Sequence, residues 1–202
     1  MSDAINYRLN QILPKITSED FLRGKGISGE IVFYIFDYQP EYEMIARRHI
    51  DVLLEHIPLQ RPGTKVCHIN LFKLLVDYLK EKNLLEKSFE MQRTKGNLAL
   101  LKALKGILNE EKIAAKFIEI AKPKETDLII ISGVGSSYPL LRSHTLLNNL
   151  HAHAENTPVI MFYPGHFDKI TLRLFGKTGL LGDETNESPA TVNYYRAFKL
   201  IE

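Results

Sequence analysis

The sequence predicts an α/β fold in which a mostly parallel sheet of about four to six strands lies between two layers of helices. Two observations support this prediction. Short, uniformly apolar runs recur along the chain, and each is followed by a turn and a segment with helical spacing. Such runs are too apolar for strands with one face in water, so each strand must be covered on both sides. Right-handed crossovers through helices satisfy that requirement.

The N-terminal segment, residues 1–24, is predicted to be a helical extension. Apolar residues recur at helical spacing between Ala4 and Leu13, and Pro14 ends the run. A short helical turn then ends at Gly24. The 202 residues fit a single α/β domain spanning the whole chain, since roughly 150 residues per domain is the usual prior.

The first predicted strand covers residues 31–36 and closes on Asp37 and Tyr38. Pro40 then suits the first turn of a helix that runs through Leu54. Further apolar runs predict strands at 66–69, 128–132 and 159–163. Helical spacing between them predicts helices over 71–79 and 84–121, the second of which is broken near Gly96 and again near Asn109.

The C-terminal part of the chain has a different pattern. Residues 171–175 and 194–200 alternate polar and apolar side chains, as strands at a sheet edge do. They form a C-terminal edge pair, antiparallel if they pair with each other. Residues 176–190 between them are rich in Gly, Asp, Glu, Asn and Ser, which predicts a mobile loop. The layout as a whole is a three-layer sandwich that is Rossmann-like or similar to P-loop nucleoside triphosphatases.

Composition narrows the classes of partner. The chain has 26 basic and 24 acidic residues, so bulk charge provides no argument for binding nucleic acid or anionic membrane. A lone cysteine, Cys67, excludes a disulfide framework and suits a reducing compartment. The N-terminus lacks the pattern of a signal peptide, and no apolar run approaches the roughly 18 residues of a spanning helix. We predict a cytoplasmic protein without membrane contact.

Familiar catalytic motifs are incomplete. A phosphate loop needs a glycine five residues before Gly-Lys-Ser/Thr, but Thr171 stands there before Gly176-Lys177-Thr178. The fold therefore lacks a Walker A motif. Gly133 and Gly135 match the first two glycines of a dinucleotide fingerprint, whereas Tyr138 replaces the third.

Hydrolase and metal signatures are also incomplete. No Gly-x-Ser-x-Gly elbow is present, and His151 and His153 would point to different sides of a helix. We therefore predict no catalytic residue, no metal and no cofactor.

The predicted working surface is the carboxyl edge of the sheet, because ligands and partners of open α/β sheets collect where strands end and helices begin. Tyrosines at strand ends suit a protein interface, since they provide rigid contact area at low entropic cost. The candidate binding residues are Asp37, Tyr38, Arg48, Asn70, Gly133, Gly135, Ser136, Tyr138, Arg142, His144, Tyr163, Gly165 and Asp168. Candidate contacts on the C-terminal strands are Arg173, Tyr194, Tyr195 and Arg196.

An ordered set of motifs resembles the BrxB family of the bacterial BREX phage-defence systems, which was formerly a domain of unknown function. The set covers nearly the whole chain. Its motifs are Phe36-Asp37-Tyr38-Gln39-Pro40-Glu41 with Arg47 and Arg48, Ser132-Gly133-Val134-Gly135, Pro139 with Arg142-x-His144-x-Leu146-x-Asn148-Asn149-Leu150, Phe162-Tyr163-Pro164-Gly165 with Leu172-Arg173-Leu174-Phe175-Gly176, and Tyr194-Tyr195-Arg196-Ala197-Phe198.

The resemblance implies a core component of an antiviral system that works beside a methyltransferase, a large ATPase and a phosphatase-like protein. It assigns no catalytic activity. It leaves self-association and indirect association with DNA open. On this basis we expect a non-catalytic assembly module, in which Arg142 pairs with Asp37 or Asp168 and His144 donates to a backbone carbonyl.

Two alternatives stay open at this point. The glycine turn at Gly133–Ser137, helped by Arg142, could bind a nucleotide or another anion in a regulatory protein or an enzyme. A DNA-contacting accessory subunit could instead use basic residues of the C-terminal strands, namely Arg173, Lys177, Arg196 and Lys199.

Overall fold

The computed structural model describes residues 2–22, 33–151, 157–176 and 197–202, except for the side chains of Ser2 and His144. Within these ranges the strands are β1 (Phe33–Tyr38), β2 (Val66–Asn70), β3 (Leu128–Ser132), β4 (Val159–Phe167), β5 (Leu172–Leu174) and β6 (Ala197–Lys199). Five of them form a sheet with the order β2-β3-β4-β1-β6, in which every neighbouring pair is parallel. The sheet is mixed because β5 pairs antiparallel with the end of β4.

Helices cover both faces of this sheet. They are α1 (Ser2–Asn10), α2 (Ile12–Ile16), α3 (Glu19–Leu22), α4 (Glu43–Gln60), α5 (Leu71–Glu81), α6 (Leu85–Ile107), α7 (Glu110–Ala121), α8 (Val134–Ser137) and α9 (Ser143–His151), with single 3-10 turns at Pro40–Tyr42 and Pro123–Glu125. In the described part of the chain, no helix has the length and apolar character needed to cross a membrane.

The alternation of side chains along each strand divides the core in two. On β3, Ile129 and Ile131 pack with helices α5, α6, α7 and α9, whereas Leu128 and Ile130 pack with α1, α2 and α4. All of β3 is buried, as expected of a strand covered on both faces. The three-layer α/β prediction is therefore confirmed.

Local sequence signals set most helix ends. The side chain of Asn109 caps α7 by accepting from the backbone N–H groups of Glu111 and Lys112. Gly96 interrupts α6 with φ 81° and ψ 174°, a conformation that is almost restricted to glycine. The predicted breaks near Gly96 and Asn109 are both confirmed. Pro14 differs from its prediction, because it lies inside α2, within the first turn, where its missing N–H would have no helical partner.

The two C-terminal strands do not pair with each other. Strand β4 continues to Phe167, beyond its predicted end, and β5 folds back on this extension with Gly165 opposite Leu174. Strand β6 instead lies parallel to β1 at the sheet edge, with Ala197 opposite Phe33. The predicted edge strands therefore exist but have different partners. The predicted mobile loop lies almost entirely in residues 177–196, outside the described ranges.

Candidate functional site

The carboxyl ends of β1 and β4 lie side by side near the centre of the sheet. The chain leaves β1 into α4 on one face, whereas β3 leads into α8 and α9 on the other face. In open α/β sheets, a crevice for ligands or partners forms at such a reversal. We call this region, residues 37–43, 70, 132–139 and 163–175, the carboxyl rim.

Asp37, at the end of β1, is the centre of a buried cluster of charges. Its side chain is only 6% exposed, and its Oδ1 accepts from Arg8 Nη2 at 2.8 Å. Its Oδ2 accepts from the Phe167 N–H at 3.1 Å and lies 3.4 Å from Lys199 Nζ. His166 Nδ1 lies 3.6 Å from the same oxygen. We call these residues the Asp37 cluster; they join α1, β1, β4 and β6.

Arg8 connects the two ends of the chain. Its Nη1 donates to the Asp37 carbonyl at 2.7 Å and its Nη2 to the Ile201 carbonyl at 3.2 Å, while its guanidinium lies 4.9 Å from the centre of the Phe36 ring. Sequence reasoning missed Arg8. The available signal was its position among Ile5, Leu9 and Ile12, where a cation interrupts an apolar stripe at helical spacing.

A second polar network ties α4 to the rim. The Tyr38 hydroxyl donates to Glu43 Oε2 at 2.7 Å, and Arg47 Nε donates to Glu43 Oε1 at the same distance. Arg47 Nη2 also donates to Ser136 Oγ on α8 at 3.0 Å. Burial and the hydrogen bond to Glu43 raise the pKa of Tyr38, so this phenol stays protonated. The network holds two predicted site residues, Tyr38 and Ser136, in fixed positions.

His68 and Ser132 form a hydrogen bond at 2.8 Å between His68 Nε2 and Ser132 Oγ, across neighbouring strands β2 and β3. Burial lowers the pKa of His68 below its ordinary 6.5, and the nearby Asp51 carboxylate opposes that shift. A neutral histidine beside a serine can act as a base for a nucleophile. Ser132 is only 4% exposed, however, so the hydrogen bond serves to join the two strands.

The glycine turn after β3 is filled by protein atoms. Gly133 has φ 71°, and a Cβ there would lie 2.5 Å from Asn70 Oδ1, the atom that caps α5. A Cβ at Gly135 would lie 3.0 Å from Phe175 and Pro164 atoms. Both glycines are therefore explained by packing. Helix α8 has only four residues, so the anion-binding alternative gains no support from this geometry.

The exposed part of the rim is apolar and basic. The Tyr138 ring meets the Phe175 ring edge to face, with centroids 6.3 Å apart. Ile170 and Phe175 are exposed, and Arg173 lies beside them on β5. Tyr163, which we predicted on this surface, is fully buried because its side chain points to the core beneath α9.

Asp168 organises the turn between β4 and β5. Partial burial by itself would raise its pKa, but hydrogen bonds from Thr171 and Ile170 and the Arg173 guanidinium lower the pKa to about 2. The carboxylate accepts from the Thr171 N–H and hydroxyl at 2.6 Å each and from the Ile170 N–H at 3.0 Å. The side chain is therefore an anion that holds the hairpin closed.

Other predicted residues lie elsewhere or have different partners. Among the described residues, Asp37 pairs with Arg8 and Lys199 and lies near the His166 ring, and Asp168 pairs with Arg173, whereas Arg142 was the predicted partner of one of these carboxylates. Arg48 lies away from the rim, in a groove between α1 and α4. The side chain of His144 and all of Tyr194, Tyr195 and Arg196 lie outside the described residues. Across the described ranges, no group of three His, Cys, Asp or Glu side chains is arranged to hold a metal ion.

The lowered pKa of two histidines predicts a loss of stability in acid. Burial lowers the pKa of His49 and His68 below the ordinary value of 6.5, so the unfolded chain binds protons more readily than the folded one. Their contribution is therefore present above pH 6.5 and is lost as the pH falls through the lower folded values. We expect His68→Gln to reduce this pH dependence in urea unfolding at about pH 7.5 and about pH 5.5. An identical pH dependence in both proteins would contradict the assignment.

The fold and the rim together define the class of protein: a Rossmann-like α/β protein whose strand ends carry tightly packed polar and aromatic side chains. Comparison with known proteins identifies the family within this class. The family model described as "BREX protein BrxB" matches residues 67–200. The chain belongs to the BrxB family.

Two curated relatives agree with that assignment. A BREX protein BrxB from Bacillus cereus (strain H3081.97) is 39% identical over an alignment of 202 positions that covers 98% of each chain. A BREX protein BrxB from Escherichia coli O9:H4 (strain HS) is 36% identical over 98% of this chain and 92% of the relative. No solved structure matches the chain. The resemblance found from the motifs is therefore confirmed.

Proposed function

We propose that this chain is a non-catalytic component of a BREX phage-defence system that holds other BREX proteins through its carboxyl rim. Membership of the BrxB family supports the first part of the proposal. The observation that carries the second part is the exposure of two large apolar side chains on the rim, Ile170 and Phe175, beside a network of hydrogen bonds and an ion pair.

The rim has the properties of a protein-docking surface. Ile170 is 73% exposed on a turn that Asp168 holds closed through three hydrogen bonds. Phe175 packs edge to face on Tyr138 and follows a hairpin strand. Rigid aromatic and aliphatic side chains lose little conformational entropy on binding, so they contribute strongly to interfaces. Arginine, which is enriched at interfaces, is present beside them as Arg47 and Arg173.

The reactive groups of the rim favour docking over catalysis. Asp37 is buried among cations, Glu43 accepts from Tyr38 and Arg47, and Ser132 is buried against His68. Each of these groups is therefore already hydrogen-bonded or ion-paired to a neighbouring side chain. A catalytic site would instead direct such groups toward a substrate.

The partners follow from the family resemblance. A methyltransferase, a large ATPase and a phosphatase-like protein are the BREX components implied, and we expect the interaction to occur in the cytoplasm. Size-exclusion chromatography of the purified chain with each component, and with all of them together, tests the proposal. We expect co-elution with at least one component. Separate elution from the full set would overturn it.

Ile170→Asp is expected to weaken that association at least tenfold. The substitution places a charge at an exposed apolar position of the rim, where it would lose its hydration on docking. The backbone N–H of residue 170 can still donate to Asp168, so the turn is kept. Isothermal titration calorimetry with the co-eluting component measures the change.

Leu59→Asp is the matched control for this experiment. Leu59 is 74% exposed, compared with 73% for Ile170, but it lies at the end of α4 away from the rim. We expect Leu59→Asp to bind like the parent protein. Equal weakening of binding in both variants would show that the rim is not the docking surface. Unchanged binding in both variants would show the same.

A further inference from the structure

Helix α6 carries a concentration of positive charge that differs from the rest of the chain. Between Met91 and Asn109 there are four basic residues and no Asp or Glu. The chain as a whole has 26 basic and 24 acidic residues, so this local excess is masked by the overall balance. We call the four residues, Arg93, Lys95, Lys102 and Lys105, the α6 basic face.

The charges of the α6 basic face are not neutralised within the described structure. All four side chains belong to exposed residues, and none forms an ion pair with a carboxylate of the described ranges. Lysines on neighbouring helices behave differently. Lys73 and Lys80 share the Asp77 carboxylate on α5, and Lys116 lies between two glutamates.

The packing of α6 directs this face outward. Leu104 and Leu108 are buried against the core on one side of the helix. Lys102 and Lys105 are three residues apart and both exposed, as is Leu98, one turn before Lys102. The Gly96 break separates them from Arg93 and Lys95, so the α6 basic face consists of two short cationic segments.

We propose that the α6 basic face binds the phosphate backbone of double-stranded DNA. Phosphate groups supply the regularly spaced negative charges that four unpaired cations require. A membrane surface fits less well, because an interfacial helix inserts a broad apolar face. In α6, Leu104 and Ile107 pack on the core, and Leu98 alone among the large apolar residues between Met91 and Asn109 is exposed. A protein partner also fits less well, because lysine is depleted at protein interfaces.

This binding surface shares no residue with the carboxyl rim. It also differs from the DNA-contact residues suggested by the C-terminal sequence. Of those, Arg173 pairs with Asp168 and Lys199 with Asp37, while Lys177 and Arg196 lie outside the described residues. Loss of DNA binding would therefore leave the rim interaction unchanged, and the two proposals can fail independently.

Fluorescence anisotropy with a short mixed-sequence DNA duplex, measured over a range of salt concentrations, tests the proposal. Each phosphate contact contributes about −0.9 to the slope of log affinity against log salt. We expect Lys102→Gln combined with Lys105→Gln to weaken binding several-fold and to reduce the size of that slope by about 1.8. Reversing both charges to Glu should abolish binding at low salt.

The matched control is Lys73→Gln combined with Lys80→Gln, which removes two exposed lysines that are already paired with Asp77. We expect its slope to equal that of the parent protein. Absence of DNA binding by the parent at low salt would overturn the proposal, as would equal effects in both double variants. Equal affinity for phosphatidylserine vesicles would also overturn it, because a membrane surface would then explain the charge.

Discussion

Asp37→Asn should destabilise the protein by about 3 kcal/mol. The asparagine keeps the shape of the side chain but removes the charge, which leaves Arg8 and Lys199 close together without their shared anion. Removing one partner of a buried ion pair is costly because the remaining charge has lost most of its hydration. Urea unfolding followed by circular dichroism measures the difference in the free energy of unfolding.

The size of this effect depends on burial, and Asp77 provides the comparison. Asp77 also contacts two lysines, Lys73 and Lys80, but all three side chains are exposed on α5. Exposed ion pairs contribute little to stability. We expect Asp77→Asn to unfold close to the parent midpoint. An Asp37→Asn protein with an unchanged midpoint would show that the cluster contributes nothing to stability.

Gly165→Ala should disrupt the hairpin of β4 and β5 at a cost of about 3 kcal/mol. An added Cβ would lie 2.2 Å from the Arg173 carbonyl oxygen and 2.8 Å from the Tyr163 ring. The carbonyl belongs to the paired backbone and Tyr163 is buried, so neither can move away easily. Hydrogen exchange at the Leu172–Leu174 amides, together with urea unfolding, measures the loss.

The same substitution should weaken docking at the rim, because Ile170 and Phe175 are held by this hairpin. Gly106→Ala is the matched control. A Cβ at Gly106 meets no atom within 4 Å, and the residue is helical, so alanine should stabilise the protein by up to about 1 kcal/mol. A Gly165→Ala protein with parent stability and parent protection at β5 would contradict the proposed close packing.

Much of the fold could be predicted because its signals are local. Strand β3 begins and ends where the apolar run predicts, and Asn109 ends one helical segment and caps the next. The ends of β1 and β4 were less predictable. Strand β4 continues past its apolar run because β5 pairs with the extension. The sequence of residues 164–167 contains no pattern that predicts this pairing.

The positions of the candidate residues along the fold were predictable, but their contacts were not. The strand ends do carry the polar and aromatic side chains that the sequence indicates, including Asp37 and Tyr138. Their partners were not predictable, and Arg142 was assigned to carboxylates that other cations occupy. The chain has 26 basic residues, so composition and spacing cannot indicate which of them pairs with a given carboxylate.

The sequence by itself determined the α/β class, most helix and strand positions and the family, because hydrophobic period, capping residues and ordered motifs are properties of short segments. Only the tertiary structure decided the strand order, the separate partners of β5 and β6, and the cations around Asp37. The reason is separation along the chain. Arg8 meets Asp37 across 29 residues and Ile201 across 193, and such contacts form only when the packed core brings distant segments together.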